Sequence, residues 1–594
     1  MASRIHRFAA FELDPGQRAL RLDGRELLLQ PRVFDLLWYL VEHRDRVVSK
    51  EELLDSVWPG VVVTESSLQR AVSLARGALE QGGLGGAIRN YTRRGYRFLV
   101  EDSGAAAEPA AGEEDLLARA ERVYASGQWQ GAMQAFAEAE RAGPLKAEAL
   151  ERWGIAAQCA GDLASAVSPL ERAAVVYSTQ GAREAAARVL ISLARIQIES
   201  LDFAVAQGCL RRAERLLSGL PTGEQHGYLA WMTARLHLNK GELAEAIQLA
   251  QRARDMGREL GNADIESMGT LIFGVGLQAS GDAKAGMALQ DEAAAAVLSG
   301  DVSPLVGGIV YCGMISSCCN AGDWNRADQW SDSFARWCGR SNIDTFNGAC
   351  LVHQAEVFAM SGRLEHAHDA IRRADPLIRL GAPWALGEAF RVMGDVHLAR
   401  GELDEAERSF QNAYQHKCDP YPGYAELLHL RGRGEEAIRG LERTAALTHW
   451  AVAERRVRYL AYAAELAAML GQQEKARALL QSLDAESRLR ESEMFAAQID
   501  RARAELALSE GKKDEAQRLL HGALELLQRG GAVMEAARAQ LRLAELLALQ
   551  GDRNAANMEL SAAEGVFQTA GAVGYLAQCR ALRETLNAGD REKA

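Results

Sequence analysis

Between Phe8 and Leu29, apolar and polar residues fall into three short strand-like runs, F-A-A-F-E-L, A-L-R-L and E-L-L-L. The turn signals D-P-G (Asp14–Gly16) and D-G (Asp23, Gly24) separate them, as hairpins require. From Pro31 the period changes. Val33, Leu36, Leu37, Leu40 and Val41 recur at the spacing of one helix face. Ser49 with Glu52 three residues on is a capping-box pattern for a second helix ending near Trp58-Pro59. A third helix is predicted from about Ser67 to Glu80, with Leu68, Val72, Ala75 and Leu79 on a narrow core-facing stripe. The segment Ile88 to Leu99 (I-R-N-Y-T-R-R-G-Y-R-F-L) then places short apolar stretches either side of Gly95 and reads as a β-hairpin with a basic, aromatic tip.

The face of the third helix opposite its apolar stripe presents Ser66, Arg70, Ser73 and Gly77, with Gln69 and Leu74 on the flanks. Arg and Gln side chains can hydrogen-bond base edges, Ser and Gly permit close approach, and a leucine can meet a thymine methyl. A groove-sized helix followed by a cationic hairpin is the layout of a winged-helix DNA reader. The candidate contacts are Ser66, Gln69, Arg70, Ser73, Leu74, Arg76 and Gly77 on the helix, and Arg89, Tyr91, Thr92, Arg93, Arg94 and Arg97 on the hairpin. Charge supports this only modestly. Residues 1–100 carry 15 Lys/Arg against 12 Asp/Glu, while the whole chain has a net charge of −12, so the remainder is acidic and suited to another task.

Three motifs carry a family resemblance: F-D-L-L-W-Y-L (Phe34–Leu40), R-V-V-S-K-E-E-L-L-D-S-V-W (Arg46–Trp58) and R-R-G-Y-R-F (Arg93–Phe98). Together with the order of elements, they make residues 1–102 resemble the OmpR/PhoB-type winged-helix effector domain. V-V-V-T-E-S-S-L (Val61–Leu68) and the double-arginine wing are most similar to the CadC-like and HilA-like subclass. The resemblance implies a third helix in the major groove and a wing in the adjacent minor groove. It implies that the loop of Pro59, Gly60, Val61, Val62, Val63 and Thr64 is offered to RNA polymerase, and that two copies bind DNA head to tail. Ser73-Leu74 and Gly77 stand where such domains commonly carry basic residues, which shifts weight to Arg70, Arg76 and the wing. Strands begin near residue 8, so no phosphoacceptor receiver domain is expected ahead of them.

Beyond the hairpin, E-D-S-G-A-A-A-E-P-A-A-G-E-E-D (Glu101–Asp115) lacks apolar periodicity and reads as a tether, with the linker proper at 103–113. From 114 to 590 a pattern of Gly, a polar residue, three variable positions and Ala recurs. Its glycines are Gly127, Gly161, Gly241, Gly281, Gly322, Gly362, Gly401, Gly432, Gly471, Gly511 and Gly551, and Leu201 fills the missing place. Most intervals are 39 to 41 residues, which predicts an all-α solenoid of about twelve helix pairs. The copy from Phe390 to Ala413 resembles the tetratricopeptide consensus residue for residue, with Gly394, Ala406 and Ala413 small where helices approach and Phe390 and Phe410 filling the gap. The stretch D-P-Y-P-G (Asp419–Gly423) and the C-terminal copies look similar to the sensor arrays of large LuxR-type activators.

Chemistry of other classes is thin. There is no G-x-x-x-x-G-K-[S/T] phosphate loop, and no nucleophile–base or paired-carboxylate spacing, so neither an enzyme nor a cofactor is expected. His366 and His368 are two apart and cannot share a helix face, and His353 is isolated. Cys312, Cys318, Cys319, Cys338 and Cys350 gather near Trp324, Trp330 and Trp337; they read as small buried hydrophobes, not metal ligands. Nine cysteines with no C-x-x-C fit a reducing compartment. Val302 to Gly322 carries no charge and is long enough to cross a membrane, yet it fills one regular slot of the array and reads as a buried pair of helices. The expectation is a cytoplasmic, one-component DNA-binding transcription regulator, most simply an activator, whose solenoid senses an unknown small molecule or protein. The alternative is a scaffold whose winged helix contacts protein.

Overall fold

The computed structural model describes residues 6–8, 11–14, 19–22, 25–27, 29, 31–44, 46–57, 65–82, 84, 86–91, 95–99, 116–341, 348–447, 450–485 and 492–591. The chain divides into two compact units, Met1–Glu114 and Asp115–Ala594.

In the first unit, β1 (His6–Phe8), β2 (Phe11–Asp14), β3 (Ala19–Leu22) and β4 (Arg25–Leu27) form an antiparallel sheet in chain order. The first predicted strand is two. Phe8 pairs with Phe11, so the chain reverses inside F-A-A-F, where a run of apolar residues gives no outward sign of a turn. Both rings are buried, stacked on each other at 5.8 Å, and Phe98 meets Phe8 edge-on at 5.0 Å. Three helices follow: α1 (Pro31–Glu42), α2 (Lys50–Val57) and α3 (Glu65–Glu80). All five stripe residues of α1 and all four of α3 are buried in one core. Helix α3 starts two residues earlier than its periodicity suggests.

Ser49 caps α2, its Oγ accepting from the Glu52 N–H at 3.1 Å. The return half of the capping box is absent because Glu52 is drawn elsewhere. Arg46 donates to it at 2.5 Å and the Tyr39 hydroxyl at 2.9 Å. The Arg46 bond, with help from Tyr39 and against the effect of burial, holds the Glu52 carboxyl down to about 2.

The second unit runs from α4 (Leu116–Ala125) to α28 (Val573–Arg591), which among the described residues makes twelve helix pairs and a closing helix. All eleven repeat glycines lie in left-handed backbone, with φ from 73° to 103°, ending the first helix of each pair. Leu201 adopts the same conformation at φ 63°, a steric cost of about 1 kcal/mol that the repeat geometry imposes on a non-glycine residue. Sequence reading missed a second glycine set, Gly181, Gly261, Gly300, Gly531 and Gly571, which turns one pair into the next. The short interval at Gly432 follows from α20 (Gly423–Leu430), only 8 residues long. A Cβ on Gly394 would stand 2.4 Å from the buried Phe410 ring, which is why that pair needs glycine there.

The uncharged stretch from Val302 is one helix, α14 (Pro304–Ala321), not a pair. Gly307 and Gly313 do not turn the chain; they admit Trp337 and Leu271 against the helix, and the first left-handed residue is Gly322. Two thirds of α14 is buried inside the array, as a core helix is.

The solenoid closes on itself. Trp384 donates to Glu199 at 2.5 Å across 185 residues, and Ser492 to the Ala321 carbonyl at 2.9 Å across 171. Asn325 donates to the Arg529 carbonyl at 2.5 Å across 204 residues. Units four to five pairs apart therefore touch, and that is the length of one superhelical turn. The interior this creates holds buried ion pairs. Arg391, 3% exposed, contacts Glu356 at 2.9 Å and Glu388 at 2.7 Å, while Arg501 bridges Glu465 at 2.8 Å and Glu535 at 2.6 Å.

Candidate nucleic-acid interface

Helix α3 shows one face to its own core and the other to solvent, because its apolar residues fall at three- and four-residue spacing. Gln69, Arg70, Ser73, Leu74 and Gly77 are all exposed, Leu74 at 42%. A Cβ on Gly77 would meet nothing within 4 Å, so no internal contact requires glycine there. The side chain of Ser66 lies outside the described residues.

The hairpin pairs β5 (Ile88–Tyr91) with β6 (Gly95–Phe98), in the register Ile88 to Phe98, Arg89 to Arg97 and Tyr91 to Gly95. Ile88, Tyr96 and Phe98 are buried and anchor it to the core. Val48 and Tyr96 exchange backbone hydrogen bonds at 2.9 and 2.8 Å, which ties the start of β6 to the segment before α2. Gly95 is needed for that contact: at φ 130° its Cβ would lie 1.8 Å from the Val48 carbonyl oxygen. Thr92, Arg93 and Arg94, and the side chain of Tyr91, lie outside the described residues, as does the loop Pro59–Thr64.

Two of the candidate arginines are engaged inside the unit. Arg76 donates twice to the Ile88 carbonyl, and the Arg97 Nε donates to the Arg44 carbonyl at 2.8 Å. Both therefore position the hairpin. Arg89 is exposed and stands directly across from Arg97. Two guanidiniums opposed on a strand pair repel, a cost that an anion between them removes. Sequence reading did not separate these roles, since a guanidinium bonded to a carbonyl and a free one look alike in the sequence. Nor did it find Val48 or Arg44 as supports.

The array offers no metal cluster: among the described residues, no three His, Cys, Asp or Glu side chains are grouped to hold an ion. His353 is not isolated as its sequence position suggests. Its Nδ1 lies 3.7 Å from the Cys312 Sγ. A hydrogen bond from Cys350 holds the Cys312 thiol below its ordinary value, burial opposes it, and His353 lowers it further. Cys318, Cys319 and Cys350 are buried, and all nine cysteines are free thiols.

Residues 24–98 match the family described as "Transcriptional regulatory protein, C terminal". The transcriptional activator CadC of Escherichia coli K12 is 29% identical over 102 residues, 17% of this chain and 20% of CadC. The phosphate regulon transcriptional regulatory protein PhoB of the same organism is 33% identical over 87 residues, 14% of this chain and 38% of PhoB. The solved DNA-binding domain of E. coli CadC is 28% identical, covers 17% of this chain and 97% of that domain, and gives a TM-score of 0.16. The chain thus spans between one fifth and two fifths of the length of these relatives. Within that span the sequence motifs and the element order agree: the amino-terminal unit is an OmpR/PhoB-type winged-helix DNA-binding domain of transcriptional regulators, carried on a tetratricopeptide-like solenoid.

Proposed function

We propose that this chain is a one-component transcription activator that reads promoter DNA through α3 and the hairpin and senses a ligand or partner protein through its solenoid. The observation that carries the reading is the exposed Gln69–Arg70–Ser73–Leu74–Gly77 face together with Arg89 and Arg97 opposed on the hairpin. In this reading α3 lies in the major groove, the wing with Thr92, Arg93 and Arg94 tracks the neighbouring phosphates, and Pro59–Thr64 meets RNA polymerase. The solenoid catalyses nothing and works in the cytoplasm. It supplies the regulatory input that a phosphorylated receiver supplies elsewhere.

The test is a gel shift with residues 1–102, which enclose a core of their own, across a salt series and two unrelated duplexes. Salt-dependent binding that prefers one duplex supports the reading. No DNA binding even at low salt overturns it and favours a protein-contacting winged helix. Deleting residues 114–594 is expected to leave binding and abolish regulated promoter output.

A further inference from the structure

Where the solenoid closes, seven alternate helices surround a cavity of about 110 Å³. They are α16 (Gly348–Met360), α18 (Ala385–Arg400), α20, α22 (Trp450–Met469), α24 (Glu493–Ser509), α26 (Val533–Gln550) and α28. Part of its wall is apolar, including Met360, Val392 and Met534. The rest is charged, with five carboxylates (Glu356, Asp395, Glu426, Glu465, Glu535) against four guanidiniums (Arg391, Arg458, Arg501, Arg538).

Nearly all of that charge is internally matched. Glu356 is held by Arg391, Glu465 by Arg501, Glu535 by Arg501 and Arg538, and Glu426 by Arg538, each within 2.9 Å, while Asp395 has the looser contact to Arg391 at 3.3 Å. Among the described residues, Arg458 is the lining charge that forms no hydrogen bond or ion pair. Its field reaches Glu356, Asp395 and Glu535 only at longer range. A second group on the same wall is also unsatisfied. Gln498 is 8% exposed, and among the described residues its Oε1 has no hydrogen-bond donor. A buried acceptor without a donor is destabilising, and the half-buried Arg458 guanidinium is open to an anion.

A ligand that repairs both defects carries an anionic group for Arg458 and an N–H donor for Gln498. A carboxylate and an ammonium on one small molecule meet both needs at once. At about 110 Å³ the cavity admits only a small ligand. We propose that this cavity binds a small zwitterionic amino acid with an apolar side chain. Its carboxylate sits on Arg458, its ammonium faces Gln498 Oε1 and Asp395, and its side chain rests against Met360, Val392 and Met534. The proposal rests on the solenoid being the sensing module and names what it senses.

The full chain is titrated with L-valine, L-valinamide and isovalerate by calorimetry and thermal unfolding. L-valine is expected to bind saturably and raise the unfolding temperature, because it binds the folded state alone. Valinamide lacks the carboxylate and isovalerate the ammonium, and each is expected to bind at least about tenfold more weakly. Arg458→Gln is expected to abolish the valine response and Arg458→Lys to retain part of it. Gln498→Leu is expected to weaken valine but not isovalerate, a pattern that a general loss of packing does not produce. No saturable valine response, or equal responses from the parent chain and Arg458→Gln, overturns the proposal. Either result with DNA binding by the full chain intact removes the amino acid site alone. Failure of the full chain to bind DNA removes the regulator reading and leaves the titration result standing.

Discussion

Arg76 on α3 donates two hydrogen bonds to the backbone carbonyl of Ile88 on β5, from Nε at 3.0 Å and Nη2 at 2.7 Å. The helix assigned to the major groove and the hairpin assigned to the phosphates are thereby fastened to each other at a fixed spacing. The Arg97–Arg44 bond ties the other strand of the hairpin to the turn after α1.

Arg76→Ala is expected to destabilise the amino-terminal unit by about 1–3 kcal/mol, the usual worth of hydrogen bonds from a charged donor. Its DNA binding is expected to weaken to the same degree on every sequence, since what is lost is the placement of the hairpin. Urea unfolding of residues 1–102 and affinities for two operator variants check this. A change in preference between the variants, with stability untouched, makes Arg76 a base reader instead.

Arg70 is exposed on the same helix, and no internal hydrogen bond or ion pair is found for it among the described residues. Arg70→Ala is expected to reduce discrimination between operator variants by about 1–3 kcal/mol. Replacing Arg93 and Arg94 is expected to act differently, lowering affinity for all duplexes and flattening the log–log salt slope by about 1.8, the loss of two phosphate contacts. The two signatures are separable in one set of salt titrations. Identical, sequence-independent losses from both changes mean that α3 is not the reader.

Much of this was legible in the sequence because it depends on local spacing. The stripe Leu68–Val72–Ala75–Leu79 is buried because four residues at that spacing share a face, and no distant contact is needed to say so. The repeat glycines are likewise local, each fixed by the left-handed turn it makes. Legibility ended where residues far apart in sequence meet. Tyr575 meets Glu426 across 149 residues and Asn325 meets the Arg529 carbonyl across 204, and no periodicity within a repeat encodes that closure. The break at Phe8–Phe11 was hidden for another reason: two short strands with a common apolar face read as one.

Ring closure rests in part on Glu426, which accepts from the Tyr575 hydroxyl at 2.8 Å across 149 residues and pairs with Arg538 at 2.9 Å. Removing Glu426 leaves Arg538 with Glu535 alone, at 2.9 Å, and takes the acceptor from the Tyr575 hydroxyl, at a cost of about 1–3 kcal/mol. Glu426→Ala is therefore expected to lower solenoid stability by that order and to open the superhelix. Small-angle scattering should report a larger radius of gyration, while Tyr575→Phe, which keeps the ion pair, should show a smaller change. An unchanged radius in Glu426→Ala rules out this contact as a closure element.

Asp395 gives the solenoid a pH dependence. Burial raises its carboxyl from the usual 3.8 to about 7, with Arg391 and Arg458 opposing. Because the folded value lies above the unfolded one, the folded chain holds this proton more tightly. The associated stability is full below about pH 4 and declines as pH rises through 7. Asp395→Asn removes the titration. Relative to the parent, the variant is expected to gain thermal stability between pH 5 and pH 8, read as a growing difference in unfolding temperature. A difference that is flat across that range, or shrinks, contradicts the assignment.

The last expectation concerns occupancy on DNA. One recognition helix covers few base pairs, Arg76 and Arg97 are committed to backbone carbonyls, and residues 1–100 carry only three net positive charges. A single domain with so small a net positive charge binds DNA weakly. Two copies on neighbouring half-sites recover affinity, since the second binds at high effective concentration once the first is seated. Head-to-tail docking, the arrangement implied by the resemblance to OmpR/PhoB-type domains, places direct repeats about 10–10.5 base pairs apart, one turn of the duplex. Footprinting of the full chain is expected to show both half-sites filling over one cooperative transition. Inserting half a turn between them should convert it to weak, independent occupancy. Saturation of a single half-site, indifferent to that insertion, would show the chain acting as a monomer on DNA.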